Sequence, residues 1–135
     1  MILNIKSHKN YSYFNIQKNH VLQFGSYGFK TLNFLRLSQS QLNSLVWLIK
    51  LKIKKLTKKN VKFWILIKPN LTLTKLGLET RMGKGKGSIV TQIVFLKPGT
   101  ILFEFDNLSM LQILKLLKFI NKKCSSVLKL VSRLY

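Results

Sequence analysis

Residues 79–88 read E-T-R-M-G-K-G-K-G-S, so three glycines alternate with two lysines directly after an Arg-Met pair. Glycines expose backbone N–H groups and carry no Cβ, so such a chain can approach phosphates closely. The lysines place ammonium groups beside the same backbone, and Arg81 adds a planar group for bidentate contacts. Met82 supplies an adaptable apolar surface. The pattern favours a loop that binds a polyanion, and the plain alternative is a solvated basic linker.

The remaining chemistry-bearing residues do not form a catalytic set. The Walker-type pattern G-x-x-x-x-G-K-S/T and the dinucleotide pattern G-x-G-x-x-G both fail, because Met82 and Ser88 stand where these patterns need glycine. Glu104 and Asp106 alternate with phenylalanines, so we expect both on the surface of a strand, close to lysines. Cys124 follows two lysines without an obvious base and reads as an ordinary helix-end cysteine. We therefore predict that the protein is not an enzyme and has no cofactor and no metal site.

The composition indicates one folded domain with a polyanionic partner. The chain has 135 residues, 47% of them hydrophobic, which is enough for a core and too many for a disordered basic tail. Lysine and arginine number 24 against three acids, for a formal net charge of +21. Such self-repulsion favours binding to nucleic acid or to an anionic membrane. A single cysteine excludes an intramolecular disulfide, and no uncharged apolar run reaches the length of a membrane span.

Periodicity and turn signals predict the order of the elements. Both helices start with a capping box, at Ser38 with Gln41 and at Ser109 with Gln112. The K-P-G-T stretch at 97–100 suits a type II turn between two strands. The predicted elements are a strand or hairpin over 21–32 that bends at Gly25 and Gly28, helices over 38–59 and 109–123, and strands over 61–67, 88–96, 100–106 and 127–134. Residues 70–87 remain as a long loop, and a loop of that length is usually functional.

Each predicted helix has an apolar face for the core and other faces rich in lysine. The apolar stripes are Leu42, Leu45, Val46, Ile49, Ile53 and Leu56 in the first helix and Met110, Ile113, Leu114, Leu117 and Ile120 in the second. On other faces of the first helix lie two lysine sets, Lys50, Lys54 and Lys58, and Lys52, Lys55 and Lys59.

These elements predict a two-layer α+β domain: an antiparallel or mixed sheet, two amphipathic helices and a long basic glycine–lysine loop. Residues 1–20 are expected to form an extended N-terminal arm, and residues 21–135 the single domain.

Four stretches, in order, resemble one known family. R-M-G-K-G-K-G at 81–87 is similar to the signature of the universal large-subunit ribosomal protein family that bacteria number sixteen. F-G-S-Y-G-F-K-T-L at 24–32, K-F-W-I-L-I-K-P at 62–69 and K-P-G-T-I-L-F-E at 97–104 resemble further motifs of that family, with matching order and separations. The resemblance covers roughly residues 24–123, which is most of the chain.

The resemblance implies a non-catalytic protein that binds large-subunit rRNA near the peptidyl-transferase centre and the elbow of the A-site tRNA. The residues expected to reach toward that region are Lys75, Arg81, Met82, Gly83, Lys84, Gly85, Lys86 and Gly87. Lys50, Lys54 and Lys58 would bind surrounding rRNA. The expected partners are this rRNA, nearby A-site tRNA and other large-subunit proteins, with no membrane span and no homo-oligomer.

Some positions depart from the family pattern. T-K-L-G at 74–77 replaces T-x-K-P, K-K-C at 122–124 replaces K-L-P, and residues 1–20 lack the usual arginines. These departures bear on the rRNA contacts of the N-terminal arm rather than on the family. With Arg36, Arg81 and Arg133 as the only arginines, we expect few bidentate contacts.

The coding bias suggests where the protein is made. The chain contains no alanine, while Leu, Lys, Ile, Asn and Phe abound, as in a product of an A/T-rich organellar genome. Without a recognisable import signal, this favours synthesis inside a mitochondrion and a place in the ribosome of its matrix, and a plastid stays open. A basic membrane-surface protein and a divergent nucleotide-binding enzyme are the alternative functions.

Overall fold

The computed structural model describes residues 5–7 and 21–133, so most of the predicted N-terminal arm lies outside the described residues. The described chain contains seven strands and two helices. They are β1 (Tyr27–Thr31), β2 (Leu35–Ser38), α1 (Gln39–Leu56), β3 (Lys62–Ile65), β4 (Leu71–Lys75), β5 (Ser88–Leu96), β6 (Ile101–Asp106), α2 (Met110–Asn121) and β7 (Leu128–Ser132). The predicted α+β class is confirmed.

The strands form two sheets rather than one. A four-stranded sheet has the order β3-β6-β1-β7, and a three-stranded sheet has the order β2-β5-β4. Every pairing is antiparallel. The β5–β6 connection links the two sheets, and its turn is the predicted one: Gly99 has a φ of 85°, and Thr100 N–H donates to the Lys97 carbonyl at 3.2 Å.

Two strands were absent from the prediction. β2 has only four residues and runs directly into the N-cap of α1, so its alternation is too short to stand out. β4, with the sequence L-T-L-T-K, was assigned to the long loop. Both strands pair with β5, and together they form the second sheet. The loop therefore spans residues 76–87 rather than 70–87.

Both predicted capping boxes are present. Ser38 Oγ accepts the N–H of Gln41 at 3.2 Å, and the Gln41 side chain accepts the N–H of Ser38 at 3.0 Å. Ser109 and Gln112 repeat the arrangement at 3.4 and 3.1 Å. These reciprocal bonds satisfy N–H groups that a helix start leaves unpaired, so the sequence located both starts correctly.

The core lies between the helices and the sheets. On α1 the predicted stripe is confirmed: Leu42, Leu45 and Ile49 are buried, and Val46, Ile53 and Leu56 pack partly buried against the core. On α2 the prediction is partly wrong, because the buried residues are Ile113, Leu116 and Ile120. Met110 and Leu114 are exposed by 46% and 36%. Leucines on several faces of α2 allow more than one apolar stripe, so periodicity alone did not select the face.

The prediction that Glu104 lies on the surface is wrong. Its side chain is fully buried, and its carboxylate accepts backbone N–H groups of Gln23 at 3.0 Å, Phe24 at 2.7 Å and Gly25 at 2.8 Å. The segment before β1 covers the face of the four-stranded sheet on which Glu104 lies. A Cβ on Gly25 would stand 2.5 Å from the carbonyl oxygen of Phe105, so this approach requires glycine.

The neighbouring acid, Asp106, does remain accessible. The Ser26 hydroxyl donates to its carboxylate at 2.6 Å. This hydrogen bond, with smaller contributions from the backbone of Asn107 and the charge of Lys62, holds the pKa of the Asp106 carboxyl below its ordinary value.

Two substitutions on α2 test which face is buried. Leu116→Asp places a charge among fully buried side chains, and we expect it to lower the free energy of unfolding by about 4 kcal/mol or more. Leu114→Asp, two residues away and partly exposed, should lower it by about 1 kcal/mol or less. Chemical denaturation of both variants measures the difference. Equal losses would contradict the assigned face.

The role of Glu104 is tested by Glu104→Gln. The glutamine NH2 group would face at least one backbone N–H, so a buried donor loses its acceptor, and we expect a destabilisation of about 2–3 kcal/mol. Glu79→Gln removes the same charge from the exposed loop and is the matched control, with an expected change below about 0.5 kcal/mol. Thermal unfolding compares the two variants, and similar stabilities would contradict a structural role for the buried carboxylate.

Candidate nucleic-acid interface

The glycine–lysine stretch lies at the tip of a β-hairpin. β4 and β5 pair along their length, and their last partners are Lys75 and Ser88, so residues 76–87 extend from the end of the three-stranded sheet. Lys75 and every residue from Arg81 to Lys86 are exposed, with Met82 at 91%. Paired strands therefore position the predicted loop residues at an exposed end of the sheet.

Three glycines of the loop, Gly83, Gly85 and Gly87, answer two different physical requirements. Gly83 and Gly85 have φ angles of 92° and 108°, a region that side chains disfavour, and no atom lies within 4 Å of where their Cβ atoms would stand. At Gly87 the reason is space instead, because a Cβ there would collide with the backbone of Lys75 and Leu76. Backbone conformation thus requires glycine at the tip, and close strand approach requires it at the base.

A short part of the N-terminal arm contacts the base of this hairpin. Ser7 N–H donates to Thr72 Oγ1 at 2.8 Å, and Thr72 N–H donates to Ser7 Oγ at 3.0 Å. Lys6 Nζ donates to the Lys86 carbonyl at 2.8 Å, and Lys86 Nζ donates to the Ser7 carbonyl. The amine of Lys86 therefore has a partner within the chain, a contact between distant segments that sequence spacing could not reveal.

The predicted lysine face of α1 forms one side of a groove. Lys50 and Lys54 are exposed on the helix, whereas Lys58 is exposed just beyond its end at Leu56. All three line a groove together with Trp47, an exposed residue that the sequence analysis did not single out. Its signal was its position three residues before Lys50 and off the apolar stripe.

The second lysine set behaves differently. Lys52 lies over the ring of Phe119 on α2, with 5.1 Å from its Nζ to the ring centroid, and so makes an intramolecular cation–π contact. Lys55 and Lys59 are exposed, and Lys59 also lines the groove.

The loop and the groove are separate surfaces. The loop extends from the three-stranded sheet, whereas the groove lies at the end of α1 beside Phe63 of β3, in the four-stranded sheet. Acids offer these lysines little neutralisation, because the chain has three: Glu104 is buried, Asp106 accepts the Ser26 hydroxyl, and Glu79 alone is exposed in the loop. Within residues 5–7 and 21–133, no three His, Cys, Asp or Glu residues are placed to hold a metal ion. In the same ranges, neither helix is long and apolar enough to cross a membrane.

The described residues form a strongly basic α+β domain with a protruding glycine–lysine hairpin, and comparison with known proteins identifies its family. Residues 4–131 match the family model of ribosomal protein L16p/L10e. The chain therefore belongs to the ribosomal protein L16p/L10e family, as its four motifs indicated, and is a structural protein of the large ribosomal subunit rather than an enzyme.

Individual relatives agree with this assignment. The chain is 41% identical over 127 residues to the large ribosomal subunit protein uL16m of Chondrus crispus, covering 93% of this chain and 92% of that protein. It is 35% identical over 91 residues to uL16 of Wigglesworthia glossinidia brevipalpis, covering 67% of this chain and 64% of the relative. With uL16 of Malacoplasma penetrans it shares 39% identity over 90 residues, covering 67% and 61%.

The two glycine requirements predict different effects of adding a methyl group. Gly87→Ala should destabilise the protein by about 1–3 kcal/mol, because the new Cβ must displace the end of β4. Gly85→Ala should leave the strands intact, since the exposed tip can change its backbone conformation without disturbing packed neighbours. Hydrogen exchange of the β4 and β5 amides measures both effects. Faster exchange in the Gly85 variant alone would contradict this division.

Proposed function

We propose that this protein binds large-subunit rRNA through two basic surfaces and supports the A-site tRNA and peptidyl-transferase region. The observation that carries the proposal is the exposed hairpin tip, where left-handed glycines alternate with cationic side chains. The proposed tip and base contacts are Lys75, Arg81, Met82, Gly83, Lys84, Gly85, Lys86 and Gly87. The second surface comprises Lys50, Lys54 and Lys58.

The tip has the chemistry for close contact with folded RNA. Gly83 and Gly85 present backbone without side chains, so phosphate oxygens can approach the main-chain N–H groups. Arg81 and Lys84 supply charge on either side of Met82 and Gly83, and Arg81 can form paired hydrogen bonds with a phosphate or a base edge. The nearly complete exposure of Met82 leaves an adaptable apolar surface for a base or sugar.

Lys86 has a different role in this proposal. Its amine donates a hydrogen bond to the Ser7 carbonyl, and the Lys6 amine donates one to the carbonyl of Lys86. These contacts tie the end of the loop to residues 5–7 and β4, so we assign Lys86 to positioning the tip as well as to adding charge beside the RNA. Arg81 and Lys84 are therefore the better residues for testing direct phosphate contacts.

The lysines of the groove would fix the body of the domain on surrounding rRNA. Neutralising phosphates releases condensed counterions, which gives a strong and sequence-independent contribution to binding. The chain is suited to this mode, because its net charge is +21 and its acids are few. A membrane surface would also attract these lysines, but it gives no reason for a hairpin tip that requires left-handed glycines.

We further propose that the protein works in a mitochondrial ribosome, in the matrix, and is encoded in the organelle. The Chondrus crispus relative bears the name of a mitochondrial form, uL16m, and the similarity extends over nearly the full length of both chains. The absence of alanine and the abundance of A/T-encoded residues support an organellar gene. Fractionation of mitochondria and plastids, followed by detection of the protein in the large-subunit fraction, tests the location.

Two double variants with equal charge loss test the rRNA proposal. Arg81→Ala with Lys84→Ala alters the tip, and Lys50→Ala with Lys54→Ala alters the groove. The measured equilibrium is association with large subunits that lack this protein. For each pair, the slope of log K against log salt concentration should become shallower by roughly 2. Only the tip pair should also reduce A-site tRNA binding, by about tenfold or more, because only the tip is proposed to lie near the tRNA.

The two readouts separate the parts of the proposal. An unchanged salt dependence in both variants would contradict rRNA binding by these surfaces. An equal loss of A-site tRNA binding in both would leave the tip without a special role. Membership of the family does not depend on either outcome.

A further inference from the structure

Trp47 is exposed in a groove that combines apolar and cationic side chains. The groove lies between the C-terminal half of α1 and the connection to β3, and it has a volume of about 830 Å³. It is lined by Trp47, Lys50, Leu51, Lys54, Lys58 and Phe63, among other residues. Trp47 is 62% exposed and Leu51 37%. A planar apolar surface therefore lies beside four lysines, Lys59 being the fourth.

The fold does not need Trp47 for its own packing. The buried positions of α1 are Leu42, Leu45 and Ile49, and Trp47 lies on a different face of the helix. Leu51 follows Trp47 by four residues and so lies one turn further along that same face. The face continues toward Lys54 and Lys58, which explains why apolar and cationic groups meet in one groove. Leaving a tryptophan in water forgoes hydrophobic stabilisation, so this surface suits a partner that covers it.

We propose that this groove binds one unpaired nucleotide, with its base stacked on the indole of Trp47 and its flanking phosphates held by Lys50 and Lys54. The inference rests on the proposed rRNA-binding function and adds a base contact to it. Aromatic side chains beside cations are the arrangement by which proteins bind unpaired nucleic acid strands. A base-paired segment cannot supply the base, because its faces are already stacked within the helix.

Charge and size favour a nucleotide over other occupants. The residues that line the groove include four lysines and no acid, so a phosphate relieves the repulsion among them. The volume lies within the usual range for small-molecule sites, which is enough for a nucleotide. A nucleotide also matches both chemistries at once, since it joins a flat aromatic face to an anion. An acidic peptide would neutralise the lysines without requiring the exposed indole.

The first test uses the two tryptophans of the chain. Trp64→Phe keeps an aromatic ring stacked on Phe24 and leaves Trp47 as the only indole. Titrating the full-length variant with a single-stranded hexauridylate at low salt should quench its tryptophan fluorescence. An RNA duplex of equal phosphate number should bind through its charge without comparable quenching. Equal quenching by both RNAs, or none by the single strand, would overturn the proposal.

The second test compares conservative and truncating substitutions. Trp47→Ala should weaken binding of the single-stranded RNA by about 5- to 100-fold, whereas Trp47→Phe should keep it within about threefold, because a phenyl ring still stacks. Binding of the duplex should change by less than about twofold in either variant. Thermal unfolding confirms that both variants fold, as expected for an exposed position. An Ala variant that binds the single strand as tightly as the wild type would overturn the proposal.

The third test identifies the occupant in the assembled subunit. A photo-crosslinking phenylalanine analogue at position 47 should attach to an unpaired rRNA nucleotide. Attachment only to a ribosomal protein, or to no neighbour, would overturn the nucleotide site. If Lys50→Ala with Lys54→Ala weakens subunit association while Trp47→Ala binds the single-stranded RNA as tightly as the wild type, the rRNA-binding function stands and this inference alone fails.

Discussion

The carboxylate of Glu104 joins the segment before β1 to the four-stranded sheet by accepting three backbone N–H groups. This segment covers one face of the sheet, with Leu22 buried against it and Phe24 stacked on Trp64. Lysine and arginine side chains can only donate hydrogen bonds, and they number 24 against three acids, so this site uses one of the few carboxylates to accept three converging N–H groups. Arg133 donates to the Leu22 and Gln23 carbonyls, so acceptors of the same segment are hydrogen-bonded as well as its N–H donors. The Glu104 carboxylate therefore bonds within the fold. Because it is buried, it cannot pair with the surface lysines in competition with RNA.

Other stabilising features of the fold also avoid acids. Both helix starts are capped by serine and glutamine, with no acidic residue in either first turn. Lys54 and Lys55 lie in the last turn of α1, where positive charge interacts favourably with the helix dipole. The core is apolar and aromatic, and Phe29, Phe103 and Phe105 are fully buried within it. Because the fold is stabilised without extensive ion pairing, its exposed cations stay available to phosphates, as the proposed function requires.

Local sequence signals predicted the parts of the structure that local physics determines. The capping boxes located both helix starts, and the Pro98–Gly99 turn joined two strands as expected. Tertiary pairing decided the rest. β2 and β4 exist because β5 lies between them, and Glu104 is buried because a distant segment folds over it. For the candidate site, composition and motif identified the loop and the lysines of α1, but the contact between Lys86 and Ser7 joins segments 79 residues apart. Trp47 was missed because exposure is a property of the packed helix.

The connection between the two sheets explains how a small domain can hold a loop at a defined place. β5 carries the hairpin tip at one end and leads through the tight turn at Gly99 into β6, the strand to which β1 and β3 pair. This turn is itself fixed to β1, because Gly99 N–H donates to the Thr31 carbonyl at 2.7 Å and Thr31 N–H donates to the Thr100 carbonyl at 3.0 Å. The hairpin strands, the turn and the four-stranded sheet are therefore joined in one hydrogen-bonded framework. In the proposed function, contacts at the groove would fix the body, and the framework would then set where the tip can reach. Glycine at 83 and 85 leaves only the last few residues free to adapt their backbone to the RNA. This division places rigidity in the paired strands and conformational freedom at the site of contact.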